Sequence, residues 1–361
     1  MTIEELLNLR IPRISNDIYN EARYQWDHIM KPLDGMGDFE EIICRIAAIQ
    51  GQVYPTISKR ELVVFCADNG IVVRSVTQSS KDVTRTVAWA LGNNSSSACL
   101  LAKNARVQVI PVDIGIDCAE RIPGVLDRKV ACGTNDFLDE PAMREDQMLA
   151  AIEVGIELVR ERSEAGVELI ATGEMGIGNT TTSAAVLAAL TGIDSDSLVG
   201  RGAGLDDERL VNKREVVRTG VEKYKSVYDG LMDTRKRALG ILRCLGGLDM
   251  AAMCGVFIGG AIYSVPIVID GVISAVSALL AQSIVDGAYE YMIPSHSGRE
   301  IGLRKALDIL NLRPLINGNM ALGEGTGALM VIPLIDMALD FYRDGSRFDD
   351  AGMDAYQRFD K

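Results

Sequence analysis

Short runs of aliphatic residues recur along this chain, and each run ends in a small or polar residue. Continuous apolar runs of this length are typical of strands that are buried on both faces, as in parallel sheets. Ala-rich segments with helical character separate the runs, for example residues 183–190 and 273–284. This alternation predicts an α/β fold with a mostly parallel sheet flanked by helices. The predicted strands are residues 61–68, 107–113, 168–173 and 265–270.

Two other stretches have patterns of their own. Residues 1–50 carry apolar positions at helical spacing, most clearly over 39–49, and are predicted to be helical. Residues 250–269 contain no charged side chain and are long enough to cross a bilayer. Glycines and Pro266 interrupt that stretch, so we expect a buried helix, a short strand and a second helix instead of a membrane span.

The charge balance and the scarce residue types exclude several classes of function. The net charge of −13 argues against nucleic-acid binding, which requires concentrated Lys and Arg. The seven cysteines include no CxxC pair and the first residues lack a signal-peptide pattern, so we expect reduced thiols in a cytoplasmic protein. The chain has only two histidines, which excludes a multi-histidine metal centre.

Four acidic residues fall at the predicted ends of strands or just after them. They are Asp68, Asp113, Glu174 and Asp270. In open parallel sheets, ligands bind outside the carboxyl ends of the strands. The acids therefore predict a small-molecule site along this edge of the sheet.

The strongest local motif is the glycine-rich segment 172–182, which follows a predicted strand and opens an Ala-rich helix. The backbone amides of Gly176 and Gly178 and the helix N-terminus favour an anion, and Thr180 could add a donor or cap the helix. Asn179 stands where the nucleotide-triphosphate loop carries lysine. The motif therefore favours phosphate binding without ATP chemistry, and a helix cap without a ligand is the alternative.

Two further segments carry polar side chains that could bind a ligand. Arg201, within the glycine cluster 200–204, and Lys213 could supply full positive charges, although an ordinary loop before a solvated helix is an equal alternative. Ser295 directly precedes His296, and adjacent residues rarely form a hydrolytic pair. No GxSxG elbow occurs either, so a polar contact with a sugar or phosphate is the better interpretation of this pair.

Glu324 lies among three glycines within residues 322–327. Glycines allow backbone conformations and close ligand approach that other residues forbid, so this carboxylate is a candidate for chemistry. The alternative is a turn in which Glu324 interacts favourably with the dipole of the following helix. A simple turn needs only one glycine, which weakens that alternative.

Taken in order, these blocks resemble the nicotinate-nucleotide–dimethylbenzimidazole phosphoribosyltransferase family of cobamide synthesis. The resemblance covers residues 30–340, and the blocks at 173–180 and 323–327 are its most specific parts. It implies transfer of phosphoribose from nicotinate mononucleotide to an aromatic lower-ligand base, which yields an α-ribotide 5′-phosphate and nicotinate. It implies neither a metal nor a cofactor. Other matching blocks are residues 65–70, 112–115, 133–135, 200–202, 266–271 and 295–296.

The resemblance also implies roles for individual residues of this chain. Glu324 would be the general base that removes a proton from the acceptor as the acceptor attacks the ribose C1′. Glu174 would orient the acceptor or the ribose. The residues implied for the phosphate and ribose are Gly176, Gly178, Asn179, Thr180, Arg201, Gly202, Lys213, Asp270, Gly271 and Ser295. Those implied for the acceptor are Asp68, Val76, Thr77, Gln78 and Leu322.

By the same resemblance, a large Rossmann-like domain spans residues 60–315 and holds the site. Residues 1–59 and 316–361 would form a small helical domain built from both chain ends. Proteins of this family usually dimerise, and some work as a pair of different subunits. We therefore expect a homodimer or a heterodimer with a paralogous subunit.

Two departures from the family pattern affect the predicted acceptor pocket. Asn69 stands where the family usually has histidine, and Val76-Thr77-Gln78-Ser79 stands where it often has Val-Ser. The acceptor is therefore dimethylbenzimidazole, a related base or a phenol. A non-catalytic or partner-dependent subunit is the alternative function, against which the retained Glu174 and Glu324 argue. A dinucleotide oxidoreductase is disfavoured because no GxGxxG follows a first strand.

Overall fold

A six-stranded parallel sheet forms the centre of the molecule. The computed structural model describes residues 1–359, so the last two residues of the predicted small domain lie outside the described chain. The strands are β1 (Arg60–Ala67), β2 (Gln108–Gly115), β3 (Leu126–Asp127), β4 (Leu169–Met175), β5 (Ile267–Ile269) and β6 (Met292–Pro294). Their order is β3-β2-β1-β4-β5-β6, the order of a doubly wound Rossmann-like fold. The predicted fold class is confirmed.

All four predicted strands are present, and β1 shows why the pattern identified them. Every one of its residues is buried, and six of its eight side chains are apolar. The two outer strands β3 and β6 escape prediction because they have two and three residues and lie outside any longer apolar run, whereas β5, also three residues long, lies within the run 265–269. Two further short strands, β7 (His296–Ser297) and β8 (Ile316–Asn317), pair in parallel beside the main sheet.

Helices cover the sheet and connect its strands. The helices are α1 (Ile3–Leu7), α2 (Asn16–Asp27), α3 (Asp38–Gln50), α4 (Asp82–Gly92), α5 (Ser97–Ala105), α6 (Glu145–Glu164), α7 (Asn179–Thr191), α8 (Ser195–Leu198), α9 (Asp207–Asp229), α10 (Thr234–Leu245), α11 (Leu248–Tyr263), α12 (Val272–Ile284), α13 (Ile301–Ile309) and α14 (Thr326–Asp344). Helix α11 packs against α6 and contacts β1, β2 and β4, while α5 packs against α14 and also contacts β2.

The two ends of the chain contact each other. The buried indole of Trp26 in α2 lies 4.9 Å from the ring of Tyr342 in α14, measured between ring centroids. The Tyr342 hydroxyl donates a 2.9 Å hydrogen bond to the Val53 carbonyl. Helices α3 and α14 also pack together. These contacts support our proposal that the chain ends form a small helical domain.

The uncharged stretch 250–269 forms the elements expected of it. Helix α11, strand β5 and the following helix α12 are each buried in the interior along most of their length. Over residues 1–359, no helix combines the length and the apolar character that crossing a membrane requires.

Candidate active site

A cavity of about 290 Å³ opens at the carboxyl edge of the sheet. It lies beside the end of β4, next to β1, where the strand order reverses and where open α/β sheets bind their ligands. All but two of the sequence-predicted site residues line this cavity; the exceptions are Asp68 and Ser295. The sheet thus brings together residues from segments more than a hundred positions apart.

Glu324 sits on a loop with an unusual backbone. Gly323, Glu324 and Gly325 have φ angles of +86°, +57° and +80°, so three consecutive residues are left-handed. This conformation strains a residue with a side chain and suits glycine, which explains why glycines flank the carboxylate. The side chain is partly buried, and its Oε2 accepts a 3.3 Å hydrogen bond from the Ala98 amide in the first turn of α5.

Asp270, at the end of β5, supports this loop from below. One carboxylate oxygen accepts hydrogen bonds of 2.8 Å and 3.1 Å from the amides of Gly327 and Ala328, and the other accepts one of 3.1 Å from Gly325. Burial raises the pKa of Asp270, while nearby His296 and these amide donors act in the opposite direction. Both oxygens are therefore occupied by the start of α14, although the residue also borders the cavity.

Glu174, in β4, faces the same loop from the other side. Its Oε2 accepts a short hydrogen bond from the Asn179 side chain. Its Oε1 is so close to Gly323 that a Cβ added there would lie 2.8 Å away. Burial raises the pKa of Glu174 to about 8, and the negative charge of Asp249 acts in the same direction. The carboxyl group therefore keeps its proton to a higher pH than an exposed glutamate does.

The opposite end of the cavity carries a buried cation. Lys213 in α9 is 1% exposed, and its Nζ donates a 2.7 Å hydrogen bond to the hydroxyl of Thr180. Across residues 1–359, it has no ion-pair partner within 4.0 Å. Burial lowers the pKa of Lys213 to about 8, partly offset by Glu300. Gly202 leaves the space beside Lys213 and Thr180 open, since an added Cβ would lie 3.4 Å and 3.1 Å from their polar atoms.

Gln78 and Arg201 lie at the mouth of the cavity. Gln78 donates a hydrogen bond to the Gly204 carbonyl, so the loop after β1 meets the loop before α9. Arg201 donates to the Leu205 carbonyl at 2.8 Å and to Asp207 at 2.5 Å. Its guanidinium thus holds its own loop and is half exposed.

Several lining residues carry no sequence signal for function. Val83 and Val87 from α4, together with Met175, Ile177 and Met320, give one side of the cavity an apolar wall. In sequence, these residues cannot be distinguished from core positions of a helix or strand. Glu300 also lines the cavity, and burial raises its pKa. It stands in a charged stretch that is typical of a surface.

Asp68, Asn69 and Ser295 lie outside the lining. Asp68 accepts a 2.8 Å hydrogen bond from the Asp117 amide, which turns its carboxylate toward a neighbouring loop. Asn69 is 3% exposed and lies beneath the cavity, next to Gly176. Ser295 is buried, and its hydroxyl lies 3.0 Å from Nδ1 of His296. Of these two neighbours, His296 is the one that reaches the cavity.

Comparison with known proteins agrees with this geometry. A phosphoribosyltransferase family matches residues 11–353. The chain is 37% identical to nicotinate-nucleotide–dimethylbenzimidazole phosphoribosyltransferase of Ruminiclostridium cellulolyticum over 99% of both chains. It is 38% identical to the same enzyme of Acetivibrio thermocellus over 92% of both chains. The crystal structure of CobT from Thermus thermophilus matches with a TM-score of 0.87 at 33% identity, over 94% of this chain and 100% of that one.

Matches of this length and identity define the class of the protein as a phosphoribosyltransferase, which is a pentose-transferring enzyme. Within that class, the chain belongs to the nicotinate-nucleotide–dimethylbenzimidazole phosphoribosyltransferase family. The family and the enzyme class predicted from the sequence are therefore confirmed. The alternative of a non-catalytic subunit is not favoured.

Proposed function

We propose that this enzyme transfers phosphoribose from nicotinate mononucleotide to an aromatic lower-ligand base of cobamides. The observation that carries the proposal is that one cavity is lined both by a buried cation, without an ion-pair partner among residues 1–359, and by a carboxylate on a left-handed loop. The cation can bind the phosphate of an anionic nucleotide, and the carboxylate can take up the proton that an acceptor loses.

The phosphate of the nucleotide binds beside Lys213 and the start of α7. Gly178 precedes α7, and the first amides of a helix lack intrahelical acceptors and favour an anion. Lys213 supplies the full charge, and the Thr180 hydroxyl, already bonded to it, adds a donor. In this arrangement Arg201 holds the loop of Gly202 in place instead of contacting the phosphate.

The ribose lies between Glu174 and the loop that carries Glu324. Glu174 is protonated at neutral pH, so its carboxyl group donates a hydrogen bond to the ribose or to the acceptor. Asp270 contributes indirectly, because it holds the amides of the Glu324 loop. Gly271, which also lines the cavity, leaves room at the ribose end.

Glu324 accepts the proton that the acceptor loses. A ring nitrogen of the acceptor bonds to the ribose C1′ while the bond from C1′ to the nicotinate nitrogen breaks, and that electron pair leaves with nicotinate. The N–H proton of the acceptor passes to the Glu324 carboxylate. General-base catalysis of this kind typically contributes ~10²–10⁴ in rate.

The acceptor packs against the apolar wall of the cavity. Val83 and Val87 of that wall, together with Val76 and Leu322 beside it, offer aliphatic surface to a flat aromatic ring. A benzimidazole and a phenol both match that surface, and both present a proton to Glu324. Dimethylbenzimidazole is the first choice because the relatives described above are named for it, and a phenol stays open because Thr77 and Gln78 add polar groups to the same wall.

Oligomeric state and cellular location stay predictions. A homodimer, or a heterodimer with a paralogous subunit, is supported by exposed apolar side chains on the cavity lining and along α14, among them Leu322, Met330 and Met337 at 55%, 46% and 66%. A cytoplasmic location is supported by the seven cysteines, all within residues 1–359 and all free thiols.

A direct assay tests the proposal. The purified chain, supplied with nicotinate mononucleotide and dimethylbenzimidazole, is expected to release nicotinate and form one equivalent of ribotide phosphate. A panel with adenine, benzimidazole and phenol under the same conditions ranks the acceptors. Release with none of them, alone or after addition of a paralogous subunit, would contradict the proposal.

A further inference from the structure

A buried polar chain runs from the cavity into the protein behind Glu174. Asn179, the first residue of α7, is 4% exposed, and its Nδ2 donates both to Glu174 and, at 3.0 Å, to Oδ2 of Asp249. Asp249 lies in the first turn of α11 and is completely buried. One amide group thus joins two carboxyl groups, of which only Glu174 reaches the cavity.

The surroundings of Asp249 are shaped to keep its carboxylate in this position. A Cβ at Gly176 would lie 2.8 Å from Oδ2, and one at Gly247 would lie 2.5 Å from Oδ1. Oδ1 accepts a 2.9 Å hydrogen bond from the Met250 amide at the start of α11, where a negative charge is favoured. No Lys, Arg or His among residues 1–359 forms an ion pair with Asp249. Among these residues, the hydrogen-bond donors to its carboxylate are the Asn179 side chain and the Met250 amide.

We propose that Asp249 is a positioning residue for phosphoribosyl transfer: through Asn179 it orients the Glu174 carboxyl group and keeps that group protonated as a hydrogen-bond donor. The amide cannot carry the proton itself, so the effect is one of orientation and charge. Burial raises the pKa of Asp249 to about 6, below that of Glu174. Negative charge on Asp249 therefore favours the protonated form of Glu174.

Other charged groups also lie around Glu174, and the expected pH dependence of kcat has to take them into account. Asp270 at the end of β5 and Glu300 at the start of α13 both raise its pKa, but less than Asp249 does. The other charged or titratable side chains that line the cavity are Arg201, Lys213 from α9, His296 from β7 and Glu324. In the substrate complex the phosphate pairs with Lys213 and holds it in its charged form. The pH dependence of kcat, which reports this complex, therefore reflects Glu174 and not Lys213.

The test compares the pH dependence of kcat in Asp249→Asn and the parent enzyme. The basic limb of the parent reports loss of the Glu174 proton, and Asp249→Asn is expected to move it about one unit to lower pH. Glu174→Gln, which keeps a donor, is expected to lack the limb. Glu61→Gln, a buried acid at the opposite edge of the sheet, is the control and leaves the limb in place. An equal loss of kcat at every pH in Asp249→Asn, with an unmoved limb, would overturn the proposal.

A second measurement keeps the proposal testable if Asp249→Asn does not fold. The ¹³C signal of the Glu174 carboxyl group in the glutamate-labelled parent protein, assigned by its loss in Glu174→Gln, reports protonation directly. A protonated signal at pH 7 supports the proposal, and an ionised one overturns it. The proposal rests on the function given above, but this signal needs no turnover. Failure of the enzyme to release nicotinate is therefore distinguishable from failure of this inference.

Discussion

The amide of Gly327 donates a 2.8 Å hydrogen bond to the carboxylate of Asp270, which joins the end of β5 to the first turn of α14. Because the left-handed loop of Glu324 directly precedes that turn, Asp270 determines where the proposed base stands. Asp270 and Glu324, both predicted site residues, are thus connected through the backbone of one loop. One of them, Asp270, acts on the other and not on the substrate.

We predict that Asp270→Asn lowers kcat about 10- to 100-fold, because misplacing a catalytic group by an ångström costs that much. The neutral amide accepts the loop amides more weakly than a carboxylate does. Steady-state kinetics with nicotinate mononucleotide gives the measurement. Glu168→Gln is the matched control, since Glu168 accepts the Lys59 amide at the opposite edge of the sheet. An unchanged kcat in Asp270→Asn would show that the loop holds its own shape.

Replacing Glu324 is expected to lower the activity of the enzyme without lowering its thermal stability. Glu324→Gln should lower kcat by ~10²–10⁴ with little change in KM for the nucleotide. Glu324→Gly should lose the same activity yet unfold at the same or a slightly higher temperature, because a glycine at φ +57° relieves ~1–2 kcal/mol of backbone strain. The greater freedom of glycine in the unfolded chain offsets part of this gain. Thermal unfolding of both variants checks the prediction, and a large fall in Tm for Glu324→Gly would contradict it.

Lys213 should govern the affinity for the nucleotide and its pH dependence. Its pKa of about 8 in the free enzyme means that the ammonium charge is present below that pH and is lost above it. We therefore expect kcat/KM for nicotinate mononucleotide to fall as the pH rises through 8. Lys213→Met should raise KM about 10- to 100-fold, the loss of one charge-assisted hydrogen bond, and should make this fall shallower, because only loss of the Glu174 proton then contributes to it. Arg209→Met, on the exposed side of the same helix, should do neither.

The apolar wall should decide which acceptors fit. Val87→Phe is expected to reduce turnover of dimethylbenzimidazole about 10-fold or more while sparing a smaller phenol, because overfilling a tight pocket excludes the bulkier ring first. Arg85→Lys, on the exposed face of the same helix, is the control. Competition between the two acceptors in one reaction gives the ratio directly. An equal loss for both acceptors would place the ring elsewhere in the cavity.

Those parts of the architecture that depend on a single local property of the residues could be predicted from the sequence. The aliphatic runs identified the four strands that are buried on both faces, and the glycines around residues 176 and 324 identified backbone that must adopt special conformations. Other features depend on long-range geometry. Asp249 sits within an apolar helix and has no local signal, and Val87 has the pattern of any core residue. Likewise, the orientation of the Asp270 side chain depends on hydrogen bonds from the start of α14, which lies more than fifty residues further along the chain.

Arg60 at the start of β1 binds Asp336 in α14 with two hydrogen bonds of 2.5 Å and 2.7 Å. With Asp270 at one end and this pair further along, α14 is fastened to the sheet at two points. The segment bearing the proposed base is thus poorly suited to swing aside when a nucleotide enters or a ribotide leaves. We therefore expect entry and exit at the facing rim of the cavity, where the Gln78 side chain donates a hydrogen bond to the Gly204 carbonyl and joins two loops. The proposed base therefore stands on the part of the cavity that is anchored to the sheet, and the substrate is expected to enter from the side formed by loops.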